Sequence, residues 1–293
     1  MRPMQYVEPH SLTEALATLS EHGEEAKVLA GGQSLLLLLH LGLVRPAVMV
    51  SLQRLSELAA IDYDPTRGLR LGAMTTQRAI ETSPVVRQHC PMLARASSLI
   101  ASVQVRSLGT LGGNLCHNLP GADSPPALIA LDATVSLASS RGTRELAVTE
   151  LFRGFMETTV EPDELLTEIR IPPACEGSRA VYLKHCLRDV DPALVGVAVF
   201  LTLAGDNGGC ADVRIGIGGV SATPYRAVGA EKVLRGQPLS RDSISAAAAI
   251  AASECDPIAD AHGSARYRRK MLEVFARRAL LAAWQADGAQ APG

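Results

Sequence analysis

Aromatic side chains are scarce in this chain of 293 residues: one Trp, five Tyr and four Phe, 3% of the total. A surface that binds nucleic acid by stacking bases needs such rings, and a net charge of −2 supplies no basic face in their place. Nucleic acid is therefore not an expected partner. Long apolar runs are missing too. The longest, residues 35–44, is interrupted by His40 and Gly42 and falls well short of the roughly 20 residues that span a bilayer. No membrane span is expected. The opening MRPMQYVEPH carries Glu8 and no apolar core of a signal peptide, so the expected location is cytoplasmic. The six cysteines (Cys90, Cys116, Cys175, Cys186, Cys210, Cys255) include no CxxC pair. Metal and iron–sulfur sites want closely spaced ligands, so none is expected on this chain, and reduced thiols are the simpler reading. GxSxG, HExxH and Walker patterns are also absent, and the seven histidines are scattered.

What is present is a chain long enough for two domains, 47% apolar. SLTEALATLSEHG (residues 11–23) sets Ser11 and Glu14 at capping-box spacing, repeats Leu12, Ala15, Leu16 and Leu19 with helical period, and stops at Gly23. Residues 26–30 and 47–52 read as strands, so residues 1–57 look like a small β-α-β unit. Beyond it, 69–74 reads as a strand and 75–83 and 91–100 as helices. Residues 107–126, rich in glycine and proline, read as a long loop before a helix at 127–131. Strands follow at 134–138, 144–148 and 164–171, the last broken by Pro172 and Pro173. The segment 172–178 is the best linker, which divides the chain into 1–176 and 177–287. The second part holds strand-like runs at 180–186, 194–204 and 210–218 and closing helices, the longest at 264–284. That order predicts an α+β domain with an antiparallel sheet of about three strands packed on helices. The tail 288–293 is expected to be disordered.

Few residues advertise chemistry. The acid pairs Asp62/Asp64 and Asp189/Asp191 read as solvated turns. GIGGVSATP (216–224) lacks the third glycine of a dinucleotide fingerprint and meets Pro224 where a helix should run. Two glycine pairs remain: Gly31-Gly32 with Gln33 and Ser34, and Gly112-Gly113 with Thr110 and Asn114. Glycine lets a backbone N–H approach a phosphate closely, and successive N–H groups form anion-binding nests. Two such loops could grip the halves of one pyrophosphate. They could equally be unrelated turns, and spacing alone leaves both readings open.

Four segments in order carry a family resemblance: LAGGQSLL with LVRPAVMVSL, QVRSLGTLGGN running into TLGGNLCHNLPGADSPPALIALDATV, DELLTEIRIP, and YLKHCLRDVDPALVGVAVFL. They are similar to the FAD-binding medium subunit of molybdenum hydroxylases, the relatives of carbon monoxide dehydrogenase and xanthine dehydrogenase. The resemblance implies an α+β fold, with a two-subdomain PCMH-type FAD-binding domain (about 1–57 and 58–176) followed by the C-terminal domain. It implies non-covalent FAD. Leu29, Ala30, Gly31, Gly32, Gln33, Ser34, Leu35 and Leu36 would line a first FAD loop, with 30–34 on the pyrophosphate and the following leucines as a buried anchor. Thr110, Gly112, Gly113 and Asn114 would form the second loop, with His117 close by. Ile100 would meet the flavin side of the cleft, and Leu166 and Lys184 would lie beside the isoalloxazine. Asp123 would accept from a sugar hydroxyl, and Lys184 would favour negative charge on reduced flavin.

One departure stands out. Relatives often place an aromatic residue where Pro192 stands, so either the ring is more open, with a consequence for its behaviour toward oxygen and other acceptors, or another side chain such as Tyr182 or a partner subunit covers it. The implied activity is that of an electron-transfer subunit, with molybdopterin on a large partner, [2Fe-2S] clusters on a small one, and two copies of each in a heterohexamer. A stand-alone FAD oxidase and a non-catalytic scaffold are the alternatives. No residue of this chain is expected to act as a catalytic acid, base or nucleophile.

Overall fold

The computed structural model describes residues 4–175, 177–204 and 209–286. The tail expected to be disordered lies outside them, as does Glu176 at the expected boundary. The chain opens with β1 (Gln5–Val7), α1 (Leu12–His22), β2 (Ala26–Leu29), α2 (Leu35–His40) and β3 (Val48–Ser51). The strands form a parallel sheet in the order β1-β3-β2. Parallel pairing needs a crossover, which α2 supplies between β2 and β3. Half of the expected cap on α1 is built: Ser11 Oγ accepts from the Glu14 N–H at 3.2 Å, while Glu14 accepts not from the Ser11 N–H but from that of His10, at 2.8 Å. Gly23, at φ +48°, ends the helix. β1 is an addition, since three residues are too few to show strand periodicity in a sequence.

The next stretch runs β4 (Ile61–Asp64), β5 (Gly68–Gly72), α3 (Gln77–Thr82), α4 (Pro84–His89), α5 (Pro91–Ser98), α6 (Val103–Leu108), α7 (Leu111–His117), α8 (Ser124–Ala130), β6 (Thr134–Ser139), β7 (Gly142–Ala147), β8 (Phe152–Gly154), β9 (Glu157–Thr158) and β10 (Leu165–Ile171). Five strands form an antiparallel sheet, β4-β5-β10-β6-β7, and β8 pairs with β9. Asp62 lies within β4, bonded to Arg70 at 2.7 Å, while Asp64 closes the turn after it by accepting from the Thr66 and Arg67 N–H groups.

The long loop expected over 107–126 is instead largely helical. Thr110 caps α7, its Oγ1 accepting from the Gly113 N–H at 3.1 Å. Gly112 donates to the Ala73 carbonyl at 2.8 Å, and a Cβ on it would lie 2.6 Å from the Ala73 Cβ. Glycine disfavours a helix by roughly 1 kcal/mol, and here the close packing it permits outweighs that.

The last part contains β11 (Arg179–His185), β12 (Val195–Ala204), β13 (Gly209–Gly218) and β14 (Tyr225–Arg226), then α9 (Val228–Leu234), α10 (Arg241–Glu254) and α11 (Ala265–Gln285). The sheet is antiparallel in chain order, the three expected strands plus a two-residue fourth. β12 is covered on both faces. Val197, Val199 and Leu201 pack with α10 and α11, whereas Ala198 and Phe200 join Tyr182 in the core that also holds Leu93, Leu128 and Ile169. Burial on both sides explains why β12 reads as one apolar run. The glycines of 216–219 seat α8: a Cβ on Gly216 would fall 2.0 Å from the Pro126 carbonyl oxygen, and one on Gly218 2.7 Å from Pro126 Cγ. The failed dinucleotide fingerprint is thus a floor for the helix that begins just after Asp123. Among the described residues, no helix is long and apolar enough to cross a membrane.

Arg268 of α11 fastens this layer from within. It is 3% exposed, and its guanidinium donates to the carbonyls of Leu194 (3.1 Å) and Gly219 (2.6 Å) and to both oxygens of Asp260. Arg268→Met strands two buried carbonyls and is expected to cost about 2–4 kcal/mol. The measurement is the urea midpoint at unchanged m-value; a loss below about 0.5 kcal/mol would show that the guanidinium is dispensable.

Candidate functional site

The two glycine pairs meet. A Cβ on Gly31 would sit 1.9 Å from the Leu108 carbonyl oxygen and 2.9 Å from Gly109 Cα, so the first loop lies directly against the backbone that leads into the second. On the same seam, a Cβ on Gly113 would lie 3.6 Å from the Ala30 Cβ, and one on Gly109 3.6 Å from Gln33 Cγ. Residues 30–34 and 109–114 therefore form one structure, which spacing alone could not establish.

The loops differ in what they offer a ligand. In the second, the N–H groups are spent internally: Leu111 on Thr75 O, Gly112 on Ala73 O, Gly113 on Thr110 Oγ1 and Asn114 on Thr110 O. The expectation that the amides of this glycine pair are free for a phosphate is corrected for Gly112 and Gly113. What this loop does offer is Asn114 Oδ1, buried and without a hydrogen-bond partner among the described residues. In the first loop, the N–H groups of Gly31, Gly32, Gln33, Ser34 and Leu35 find no acceptor among the described residues, and Leu36 donates back to Gly32 O at 3.1 Å. Gly32 takes φ +72°, a conformation that costs glycine nothing. Ser34 stands at the N-cap of α2 with its side chain unused there. Consecutive backbone N–H groups left without acceptors at a turn are the kind of donor set that binds anions.

Leu35 to Leu39 are not the buried anchor expected of them. None of α2 is buried, and Leu36 and Leu37 are 52% and 57% exposed. The loop is held by its contact with Leu108 and Gly109 instead. Leu29 and Ala30 are half-buried at the end of β2.

Beneath the loops lies a buried ion pair. Lys184 Nζ donates to Asp123 Oδ2 at 2.9 Å and to the Leu99 carbonyl at 2.8 Å, with both charged side chains no more than 4% exposed. Tyr182 donates to the other Asp123 oxygen at 2.7 Å. Burial pushes Asp123 up to about 6, against the opposing pull of Lys184 and the Tyr182 hydrogen bond. Burial, with the Asp123 charge added, drives the Tyr182 hydroxyl well above its ordinary value.

Three expectations change accordingly. Asp123 has both oxygens engaged internally, so it is not an open acceptor for a sugar hydroxyl. Lys184 is half of a neutral pair rather than a free cation. Tyr182 is buried under the sheet and cannot cover a flavin. Leu166, expected at the ring, is 3% exposed and its side chain belongs to the apolar core. Pro192 packs on the turn before Asp123, close to where a Cβ on Gly121 would fall (2.8 Å).

Ile100 is half-buried on a shaped turn. Its carbonyl and that of Ala101 both accept from Arg106 Nη1, at 2.8 and 3.0 Å, and Arg106 Nε donates to Glu81 at 2.9 Å. Ala101 adopts φ +40°, a strained value for a residue with a Cβ. The turn also supplies the Leu99 carbonyl to Lys184, so the wall carrying Ile100 and the ion pair are physically joined. His117 is half-buried in the last turn of α7, and burial lowers its pKa. Sequence reading missed Arg106 as a support of this wall, and no local pattern marks it.

Known proteins are similar to this chain along nearly its whole length. Residues 2–174 match the family model described as the FAD binding domain in molybdopterin dehydrogenase, and 181–283 match the CO dehydrogenase flavoprotein C-terminal domain. The carbon monoxide dehydrogenase medium chain of Hydrogenophaga pseudoflava is 35% identical over 280 residues, 96% of each chain. The glyceraldehyde dehydrogenase medium chain of Sulfolobus acidocaldarius is 34% identical over 94% of this chain and 96% of that one. A solved carbon monoxide dehydrogenase from Hydrogenophaga pseudoflava, which lacks the Mo-pyranopterin moiety, aligns with TM-score 0.93 at 36% identity, covering 97% of this chain and 98% of its counterpart. Quinoline 2-oxidoreductase from Pseudomonas putida 86 aligns at TM-score 0.90 and 34% identity, over 97% of each. With almost its whole length matched in this way, the chain is an oxidoreductase subunit and belongs to the FAD-binding medium-subunit family of the molybdopterin dehydrogenases.

Proposed function

We propose that this chain binds FAD non-covalently along the seam of the two glycine loops and works as the electron-exit subunit of a three-component hydroxylase. In this reading, electrons arrive from [2Fe-2S] clusters on a small partner, a large partner carries molybdopterin and oxidises the substrate, and an external acceptor takes the electrons away. Two copies of each subunit make a heterohexamer. The linker at 172–178 divides an FAD-binding part from a C-terminal part. The complex works in the cytoplasm, where the six free cysteines stay reduced.

The observation that carries the reading is the set of five amides at residues 31–35 without an acceptor among the described residues, on a loop whose Gly31 abuts Leu108 and Gly109; the second loop adds Asn114 Oδ1, also without a partner among the described residues. A pyrophosphate is doubly negative and needs N–H donors without nearby carboxylates. Residues 31–35 would hold it, with Ser34 as a side-chain donor, while Asn114 would accept from a cofactor hydroxyl or ring N–H. Bound FAD would supply a centre that takes electrons one at a time from the clusters, holds two, and passes them on singly or as a pair. The chain's own residues bind and shape. The 99–101 turn, braced by Arg106, forms one wall. The Asp123–Lys184 pair fixes that wall to β11 without adding net charge. Burial pushes Cys90 and Cys116 up to about 12, which keeps both thiols protonated and unreactive at neutral pH.

Purification of the chain, with and without co-expressed partners, tests the reading. Flavin absorbance, no turnover alone and two co-purifying subunits support it. Turnover by the chain alone indicates an oxidase, and lack of flavin indicates a scaffold. Gly31→Ala drives a Cβ into the Leu108 carbonyl and is expected to weaken FAD binding at least tenfold, about 1.4 kcal/mol, with unchanged far-UV circular dichroism. Gly42→Ala, at φ +71° in open surroundings, controls for backbone strain; equal loss in both variants would remove the loop from the site.

Asp123 provides a pH test. Its folded value of about 6 exceeds the ordinary 3.8, so between these values the folded state binds more protons than the unfolded one. The Asp123 contribution to stability is full below about pH 4, falls as pH rises to about 6, and is level above that. Carboxyl carbon NMR is expected to show Asp123 titrating near pH 6; titration below pH 4 would mean that pairing with Lys184 outweighs burial.

A further inference from the structure

Gln77 is 2% exposed and stands where three segments of the site converge. Its backbone N–H donates to Gly109 O at 2.8 Å, and the preceding Thr76 pairs with Thr110 in a β-bridge. Its Oε1 accepts from Ser97 Oγ at 2.9 Å and from Ser124 Oγ at 3.4 Å. Both serines are fully buried. The Ser97 carbonyl accepts in turn from the Ile100 N–H at 3.2 Å, and Ser124 directly follows Asp123. One residue therefore joins the wall at 99–101, the second glycine loop and the start of α8. Its other end is different: Nε2 has no hydrogen-bond partner among the described residues. An unpaired buried amide donor costs free energy. If space-filling were all that the position required, an apolar residue of similar volume would do it at lower cost. The contribution of Gln77 lies in the acceptor oxygen that draws the three segments together.

We propose that Gln77 is a positioning residue for the flavin cofactor, resting on the FAD reading above: through Ser97 and Ser124 its carboxamide oxygen sets the Ile100 wall and the Asp123 end of α8 in register with the second glycine loop. Its effect travels through those serines.

The test uses the full chain and three measurements: FAD dissociation constant by flavin fluorescence, the visible absorption band of bound flavin, and thermal midpoint of the apoprotein. Gln77→Met removes the acceptor and the unpaired donor together. The expected result is FAD binding weakened tenfold or more and a displaced flavin band; the apoprotein midpoint falls as well, because the Ser97 and Ser124 hydroxyls are left buried without their acceptor, so the displaced band carries the distinction. Where Gln77→Met fails to fold, Ser97→Ala with Ser124→Ala severs the same links from the other side, and the same outcome is expected. A dissociation constant within twofold of wild type and an unaltered band overturn the inference. So does weaker binding that tracks a lowered thermal midpoint with the band unaltered, which is the signature of a merely structural residue. Wild-type chain that takes up no FAD overturns the proposed function instead, so the two failures are told apart.

Discussion

The site depends on a contact between two backbones. Where Gly31 meets the Leu108 carbonyl, a Cβ would have to stand 1.9 Å from an oxygen, so any other residue would drive the loops apart. At that contact the first loop keeps its amides at 31–35 without acceptors among the described residues, although Leu36 and the Gln33 side chain donate back to its carbonyls. The neighbouring glycines serve different ends. Gly32 supplies a left-handed turn, Gly112 lets α7 press on Ala73, and Gly216 with Gly218 lets α8 settle on β13. Most of these glycines make room for protein rather than for ligand, and the proposed ligand-facing role rests on the few amides left without an acceptor among the described residues.

The second organising feature is the Asp123–Lys184–Tyr182 group. It links the turn before α8 to β11, so it spans the two regions that match separate family models. A buried pair of this kind is weak evidence for stability, because desolvation offsets much of the attraction. Its value is geometric: Lys184 also holds Leu99, so the wall bearing Ile100 cannot shift without breaking a charged hydrogen bond. The pair also alters the electrostatics expected from sequence. A free lysine near the flavin would favour the reduced, anionic form. A lysine neutralised at 2.9 Å does so far less, and its removal would let Asp123 take up a proton.

Much of the architecture was legible because it rests on local signals. The Ser11 cap, the apolar run of β12 and the proline stop after β10 each follow from chemistry visible in a few residues. The failures share a cause, since they concern what packs against a residue. Leu35 to Leu39 look like core in any window, yet a six-residue helix at the edge of the fold has nothing to bury them. The segment around Gly112 looks like a loop because helix propensity ignores Ala73. Tyr182 was read as a flavin cover, whereas a tyrosine with an acid and a lysine nearby can satisfy its hydroxyl internally. Gln77 gave no signal, since its partners Ser97 and Ser124 come from other helices.

Hydrogen exchange at the two loops is the measurement closest to the central claim, that residues 31–35 hold the FAD pyrophosphate through their backbone. In the free chain, the amides at 31–35 should exchange quickly, since they lack internal acceptors, and those at 111–114 should already be protected. Adding FAD should slow exchange at 31–35 strongly and change 111–114 little. Unchanged exchange at 31–35 with FAD bound would contradict the account and place the pyrophosphate elsewhere.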